Sequence, residues 1–469
     1  MKKEALNPYL PSWEYIPDGE PYVFGDRVYI YGSHDLFDGP TFCLGDYICY
    51  SAPIDDLGNW RYEGVIYPKT SDPLNPDGRM CLYAPDVTIG PDGRYYLYYV
   101  LDKVNVVSVA VCDTPAGKYE FLGYVHYEDG TKLGDKEGDE PQFDPGVITE
   151  GDLTYLYTGF CPRGDDSRSG SFMTVIGPDM LTIVEAPIRV APGIMNPEKG
   201  SFEGHEFFEA PSIRKRGDKY YFIYSSIWMY ELCYAMSDSP KGPFEFKGTI
   251  VSNNDIGIST YKDSDMPAMP GANNHGSIVE IADKWYIFYH RHTNNNWYSR
   301  QGCAEVISFN DDGTIPQVEI TTQGLSGAPL TGEGEHMAYT ACNIFKEGMA
   351  PYIGDPRNPT IKEWKEEGME NPQAFVTNIS DGTTIGFKYY RCEGIKKFSI
   401  KTRGYGDGNF ELRTMIGGKV IGSVEVHNDN IWTEYSDDIT LPDGVYAFYI
   451  TFTGNSSSLQ LLSFTLSKN

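Results

Sequence analysis

The sequence predicts an all-β protein: a five-bladed β-propeller followed by a β-sandwich. Three observations carry that expectation. A strand–turn–strand phrase recurs five times within residues 1–320. A second hairpin-like phrase follows each copy. The recurrence then stops at a Gly-, Thr- and Ser-rich stretch, and short alternating strands of another kind begin. Repeats at a steady period mean a repeat architecture, and short strands bounded by turn residues mean β-structure.

The first phrase reads PYVFGDRVYIYG from Pro21, PDVTIGPDGRYYLYY from Pro85 and PGVITEGDLTYLYT from Pro145. It returns as PSIRKRGDKYYFIYS from Pro211 and GSIVEIADKWYIFYH from Gly276, so the starts lie 64, 60, 66 and 65 residues apart. That period exceeds the common propeller repeats, so each blade carries long loops. The second phrase appears as YSAPIDDLGNWRYEGVI from Tyr50, AVCDTPAGKYEFLGYV from Ala110 and AMSDSPKGPFEFKGTI from Ala235, with weaker counterparts near Thr174 and Ala304. Pro and Gly set its turns. Two hairpins per blade make four strands, and five blades fill residues 1–320. TTQGLSGAPLTGEGE, residues 321–335, reads as a linker. Residues 336–469 contain GFKYYRC, KKFSIKTRGYG, NFELRTMIGG and YAFYITFTG, the pattern of an antiparallel β-sandwich. IKEWKEEGM, from Ile361, is the one stretch with a helical look.

Every copy of the first phrase opens on an ionisable residue at nearly the same place: Asp18, Asp86, Asp144, Glu209 and His275. The innermost strands of a propeller surround one axis, so these positions converge there. Isolated Asp-Pro or Asp-Gly pairs are usually turn caps. A set in register across five repeats predicts a cluster.

The chain has 38 basic and 66 acidic residues, a net charge of −28. That charge repels phosphate backbones and argues against nucleic-acid binding. No run of about 18 apolar residues is present, so no helical membrane span is expected. The 36 Tyr, 23 Phe and 7 Trp exceed what an apolar core needs, and flat apolar faces suit sugar rings. The nine cysteines are scattered with no C-x-x-C pair, which argues against a disulfide framework or a zinc ribbon. MKKEALNPYLPSWEY has no apolar stretch behind its lysines. Together these features predict a cytoplasmic location.

Several chemical motifs are near misses. HEFFE, from His205, lacks the second histidine of a zinc helix, and GYGDG, from Gly404, lies between strands. What remains is the carboxylate cluster. Glycoside hydrolysis needs one protonated carboxyl to donate to the leaving oxygen and one ionised carboxylate to activate water or attack. Glu209 follows two Phe and precedes Ala-Pro, an apolar setting that favours the protonated form. Asp18 sits in the polar turn PDGEP, a setting in which a carboxylate can stay ionised.

These residues carry a resemblance. NPYLPSWEYIPDGEPYVFGDRVYIYGSHD, LYAPDV, FDPGV, FFEAPSIRKRGDKYYFIYS and NNHGSIVEIADKWYIFYHRH, in this order over residues 7–320, are similar to glycoside hydrolase family 43. The resemblance implies a five-bladed propeller that hydrolyses glycosidic bonds with inversion. It implies Asp18 as general base, Asp144 as the aspartate that tunes and orients the acid, and Glu209 as general acid. It also places the family's central histidine at His275, near a structural calcium or other ion on the axis, and its substrate-contacting arginine at Arg300. No cofactor is required for the chemistry. Tyr83 stands where the family usually has Trp. Trp13, Tyr15, His34, Tyr83, Phe143, Trp228 and Trp297 are candidates to line the pocket, with core packing as the alternative for each aromatic and a structural hydrogen bond as the alternative for His34.

The expected activity is removal of terminal α-L-arabinofuranosyl residues from arabinoxylan or its hemicellulose-derived oligosaccharides. A β-D-xylosidase, or an enzyme with both activities, is the alternative, and a non-catalytic sugar-binding propeller a more distant one. The C-terminal region resembles a family 6 carbohydrate-binding module, with Trp432 at that family's stacking position. MAYTACN replaces the usual opening phrase, and packing against the propeller fits the region equally well.

Overall fold

The computed structural model describes residues 3–468. Five antiparallel sheets follow one another along the chain. Blade one contains β1 (Glu20–Phe24), β2 (Arg27–Tyr31), β3 (Tyr47–Pro53) and β4 (Arg61–Tyr67). Blade two contains β5 (Asp86–Ile89), β6 (Tyr95–Val100), β7 (Val107–Cys112) and β8 (Glu120–Tyr124). Blade three contains β9 (Gly146–Glu150), β10 (Leu153–Thr158), β11 (Gly170–Ile176) and β12 (Ile183–Pro192). Blade four contains β13 (Phe207–Arg216), β14 (Lys219–Ser226), β15 (Glu231–Ser237) and β16 (Glu245–Ser252). Blade five contains β17 (Ile278–Ile281), β18 (Lys284–His292) and β19 (Arg300–Ile307).

The middle strands β3, β7 and β15 are buried almost end to end, because each blade is covered on both faces by its neighbours. Outer strands such as β4 and β8 are largely solvent-facing. The first strand of each blade is innermost: β5 packs on β9, β9 on β13, and β1 on β17. That convergence demands small residues. A Cβ on Gly276 would stand 1.8 Å from the Phe288 carbonyl oxygen.

The fifth blade differs from the four-strand expectation. Its sheet has three strands, and the N-terminal segment lies where the fourth would be. Tyr9 N–H donates to Gly302 O (3.3 Å), and the Asn7 side chain exchanges hydrogen bonds with Ala304 O (3.0 Å) and N–H (2.9 Å). A parallel bridge between Gly19 and Gly276 joins the first blade to the last. The ring is therefore closed by the start of the chain.

The sandwich comprises β20 (Leu330–Thr331), β21 (Gly334–Met337), β22 (Asn343–Phe345), β23 (Thr360–Trp364), β24 (Gln373–Thr377) and β25 (Thr384–Cys392). It continues through β26 (Lys397–Gly404), β27 (Gly406–Arg413), β28 (Gly422–Val426), β29 (Asp429–Asp438), β30 (Gly444–Ser456) and β31 (Gln460–Ser467). These form two six-stranded sheets, one centred on β25 and β30 and the other on β31 and β26. The helical look of residues 361–369 is not realised. Ile361 is buried and β23 pairs with β24, so strand pairing overrides the helix-forming side chains.

Residues 321–335, expected as a linker, are packed rather than free. Thr322 and Gln323 N–H groups both donate to Lys388 O, β20 pairs in parallel with β25, and β21 pairs with β31. One apolar core runs from Tyr221 and Leu232 of blade four, through Ile287 and Cys303 of blade five, to Phe387 and Phe464 of the sandwich. At the seam, fully buried Lys388 reaches Glu319 (3.1 Å) and Asp255 (3.4 Å) and lies 3.7 Å above the Tyr261 ring. A sandwich segment also touches propeller loops. Tyr352 donates to Trp228 O (3.0 Å), Tyr15 donates to Glu363 Oε2 (3.0 Å), and Asn294 N–H donates to Ile361 O (2.8 Å).

Candidate active site

The axis opens into a cavity of about 440 Å³. Asp18, Asp144, Glu209, His275 and Arg300 line it, with aromatic walls. Tyr83, Phe143, Phe160 and Phe208 form a continuous arc, with successive ring centroids 5.3, 4.8 and 5.4 Å apart. Phe42 and Tyr298 meet edge-on at 4.6 Å, also on the lining. Trp297, Met229 and Asn273 complete the wall.

The backbone is bent to present the carboxylates. Asp18, Asp144 and Ala210 all take left-handed φ values, 58°, 44° and 64°. Such conformations disfavour side chains and persist where surrounding structure over-determines them. Each lies where a first strand begins, or within it, so the chain turns the carboxylate toward the axis before regular pairing continues.

Asp18 is held from two sides. Arg300 Nη1 donates to Asp18 Oδ1 at 2.8 Å. Arg300 is itself fixed by a two-pronged pairing with buried Asp35, Nε to Oδ2 at 2.8 Å and Nη2 to Oδ1 at 3.0 Å. Its guanidinium also lies over Phe42, 4.9 Å from the ring centroid. His290 accepts from Asp18 N–H at Nδ1 (3.3 Å) and donates from Nε2 to Asn273 O (2.8 Å). Burial, then the charge of Arg300, holds the His290 pKa well below the ordinary imidazole value, so it is a neutral Nε2–H tautomer.

Glu209 stands in a different environment. It is half-buried near the start of β13 and lines the cavity. Burial, then the like charges of Asp144 and Asp18, pushes its pKa up to about 8. Asp144 is raised as well, by burial first and by Asp18, against the opposing pull of His275 and a hydrogen bond from Ala210 N–H. His275 Nδ1 sits 3.9 Å from Asp18 Oδ1 and 3.8 Å from Asp144 Oδ2, and its Nε2 is 3.5 Å from Glu20 Oε1. Burial opposes charging this ring, but Glu20, Asp144 and Asp18 outweigh it and lift the pKa to about 9.

An ion on the axis at His275 fits these residues poorly. Glu20 Oε1 faces His275 Nε2, while Glu20 Oε2 is taken by Arg214 and Ser212. A calcium ion prefers six to eight oxygens. Here the carboxylate oxygens nearest the ring are only three, Glu20 Oε1, Asp144 Oδ2 and Asp18 Oδ1, the last already bonded to Arg300, and Arg214 is a competing cation on Glu20.

Of the five positions in register, Asp18, Asp144, Glu209 and His275 line the cavity, and Asp86 lies off it: it accepts from Tyr22 (2.8 Å) and Val147 N–H (2.8 Å). Tyr83, Phe143, Trp297 and Arg300 line the cavity, and Trp13, Tyr15, His34 and Trp228 do not. The His34 ring is wedged against Gly45 and bonded to Asp46 O (3.1 Å). Trp228 spends its indole N–H on Gly204 O (2.9 Å), and Trp13 is on an exposed loop. In the sandwich, Trp432 is flanked by Phe375 and covered by the Arg403 guanidinium at 4.3 Å. Phe42, Phe160, Phe208, Met229, Asn273 and Tyr298 come from loops and strand ends with no repeat signal. Asp35 and His290 act through tertiary contacts. For these two the available signal was their place within GSHD and YHRH.

Among the described residues, His205, Glu231 and Cys233 also bring ligand-type atoms together. Glu231 is already bonded to His205 (2.7 Å), Ser226 and Thr249 (3.0 Å). The pair ties the segment entering β13 to β15, four residues before Glu209.

A deep cavity on a propeller axis, with one carboxyl whose pKa is raised and one carboxyl held by an arginine, is the arrangement that glycoside hydrolysis calls for. The family model for glycosyl hydrolases family 43 matches residues 20–315, and the chain belongs to that family. It is 61% identical to a xylosidase/arabinosidase of Thermoclostridium stercorarium over 99% of both chains. It is 28% identical to a xylosidase/arabinosidase of Bacteroides ovatus, covering 68% of this chain and 99% of that one. In fold it resembles the crystal structure of a Bacillus subtilis family 43 arabinoxylan arabinofuranohydrolase in complex with cellotetraose. That match has TM-score 0.53 and 20% identity, and covers 100% of this chain and 99% of that one.

Proposed function

We propose that this enzyme removes terminal α-L-arabinofuranosyl residues from arabinoxylan-derived oligosaccharides, with inversion. The observation that carries the reading is the division of labour in the cavity. Glu209 has its proton held by burial and by Asp144, whereas Asp18 is gripped by Arg300. Glu209 donates to the leaving oxygen. Asp18 takes a proton from the water that attacks the anomeric carbon. Asp144 keeps Glu209 protonated and aligned through the Ala210 N–H contact. The aromatic arc packs against the sugar and excludes bulk water. A cavity of about 440 Å³ is of a size for a terminal sugar and its immediate neighbour.

A second reading, β-D-xylosidase activity at the same site, is favoured by the double name of the 61% identical relative. Both readings are tested by turnover of nitrophenyl α-L-arabinofuranoside and β-D-xyloside, with the first-formed anomer followed by proton NMR. Cleavage of the arabinofuranoside with inverted configuration is expected. Turnover of the xyloside alone would replace the first reading with the second. Retention of configuration would sink the water-activating role of Asp18.

A further inference from the structure

Below His275 the axis is filled by a buried ionic cluster that the chemistry above does not use. Glu20, on β1, and Asp86, on β5, are 1% and 0% exposed. Arg214, on β13, reaches between them. Its Nη2 donates to Glu20 Oε2, its Nη1 lies 3.9 Å from Asp86 Oδ2, and Nη1 also donates to Ile213 O (2.8 Å). The guanidinium lies 4.3 Å from the Tyr22 ring centroid, and Tyr22 in turn donates to Asp86 (2.8 Å). Ser212 Oγ donates to Glu20 Oε2 (3.1 Å). Three blades are thus tied through one side chain.

Two buried carboxylates near one axis need a counter-charge, because isolated buried anions are too costly to keep ionised. In many proteins a metal ion supplies it. We propose that Arg214 is the resident cation of this propeller's axis, standing in the place of a divalent ion and holding Glu20 against His275. Arginine suits that role because it stays charged when buried and its planar fork contacts several acceptors at once. The guanidinium occupies the space between the carboxylates and takes Glu20 Oε2, which leaves a divalent ion no room between them. Arg214 is a positioning residue. It touches no substrate, and it acts through Glu20 on the ring that faces Asp18 and Asp144.

The test uses the full chain and calcium chloride as the probe. Wild-type protein is treated with EDTA and desalted, its metal content is read by mass spectrometry, and Tm and kcat are measured with and without millimolar Ca²⁺. Arg214→Met and Arg214→Lys are measured in the same way. Wild type is expected to retain no stoichiometric calcium and to show the same Tm and kcat in both conditions. Arg214→Met should lower Tm and cut kcat about tenfold or more. It should regain part of both with Ca²⁺, because Glu20 and Asp86 are then free to ligate. Adding Glu20→Gln to that variant should abolish the regain, which separates axial binding from loose binding to the acidic surface. Arg214→Lys, which keeps the charge, should remain insensitive to Ca²⁺. The proposal is overturned if wild type holds one calcium per chain whose removal lowers Tm or kcat, or if Arg214→Met folds and behaves as wild type. Should Arg214→Met not fold, the wild-type and Arg214→Lys arms still decide. None of these outcomes depends on which pentose is cleaved.

Discussion

The propeller axis and the sandwich core are both buried β-structure, yet opposite chemistry fills them. Around the axis lie Asp18, Glu20, Asp86, Asp144, His275, Arg214 and Arg300, all paired with one another. The sandwich interior is packed with Phe387, Phe398, Phe410, Phe448, Phe452 and Phe464, each 0% exposed. Its edge strand β28 keeps the simple alternation of a two-faced sheet: Gly422, Val424 and Val426 are buried and Ser423 and Glu425 exposed. The chain entering the axial strands β1 and β9 departs from extended backbone just before they begin, with left-handed φ at Asp18 and Asp144. Apolar packing stabilises a sheet without aiming anything. Aiming carboxylates at one point requires paired charges and a backbone held in costly conformations.

The sharpest way to break the comparison is to remove one axial charge. Glu209→Gln should lower kcat on oligosaccharides by about 10²–10⁴-fold, while retaining more activity on aryl glycosides with good leaving groups. Asp18→Asn should lose a similar factor on both substrate types. If leaving-group dependence appears for Asp18→Asn and not for Glu209→Gln, the two roles must be exchanged.

A charge at the domain seam offers the contrasting case. Lys388→Met leaves Asp255 and Glu319 without their buried cation and should cost about 3 kcal/mol in urea denaturation. It should leave kcat per folded molecule unchanged. A stability equal to wild type would mean the seam is held by its apolar core alone.

Asp144→Asn probes coupling within the axis. Burial is the first cause of the raised Glu209 pKa and the Asp144 charge the second, so neutralising Asp144 lowers it. The basic limb of kcat/KM, expected near about 8 in wild type, should move down by about one pH unit. An unmoved or raised limb would separate Asp144 from the acid.

The smallest effect concerns the pair that anchors the approach to β13. The Glu231 hydrogen bond, against partial burial, raises the His205 pKa. For Glu231, burial works upward, but His205 and Ser226 prevail and its pKa is lowered. The histidine's contribution is therefore full below its unfolded pKa and fades as pH rises through the folded one. The carboxylate's contribution is full above its unfolded pKa and is lost as pH falls. His205→Gln should cost less than about 1 kcal/mol near pH ~6, since the ring is partly solvent-screened. The difference should shrink toward pH ~9. A larger loss at alkaline pH would mean His205 packs rather than pairs.

The fold was legible because a propeller repeats one unit, and repetition leaves its mark in a linear string. The register of Asp18, Asp144, Glu209 and His275 was legible for the same reason: each opens a copy of one phrase. The three-stranded fifth blade was not, because the N-terminal segment that completes it lies at the other end of the chain. The packing of residues 321–335 was hidden too, since Gly- and Thr-rich composition describes a flexible chain until neighbouring strands supply partners. The helical look of IKEWKEEGM yielded to pairing with β24 for a similar reason.

By itself, then, the order of residues determined the all-β class, the repeated blade and the residues that meet on the axis, because strand periodicity and turn chemistry are local. Only the tertiary structure decided that Arg300, fixed by Asp35, grips Asp18, that Arg214 lies between Glu20 and Asp86, and that Phe42, Phe160, Phe208 and Tyr298 wall the cavity. It also put Trp13, His34 and Trp228 outside that cavity. These arrangements join residues as far apart as Asp18 and Arg300. Long-range pairing of charges is set by how the blades close, and no local pattern in the chain records it.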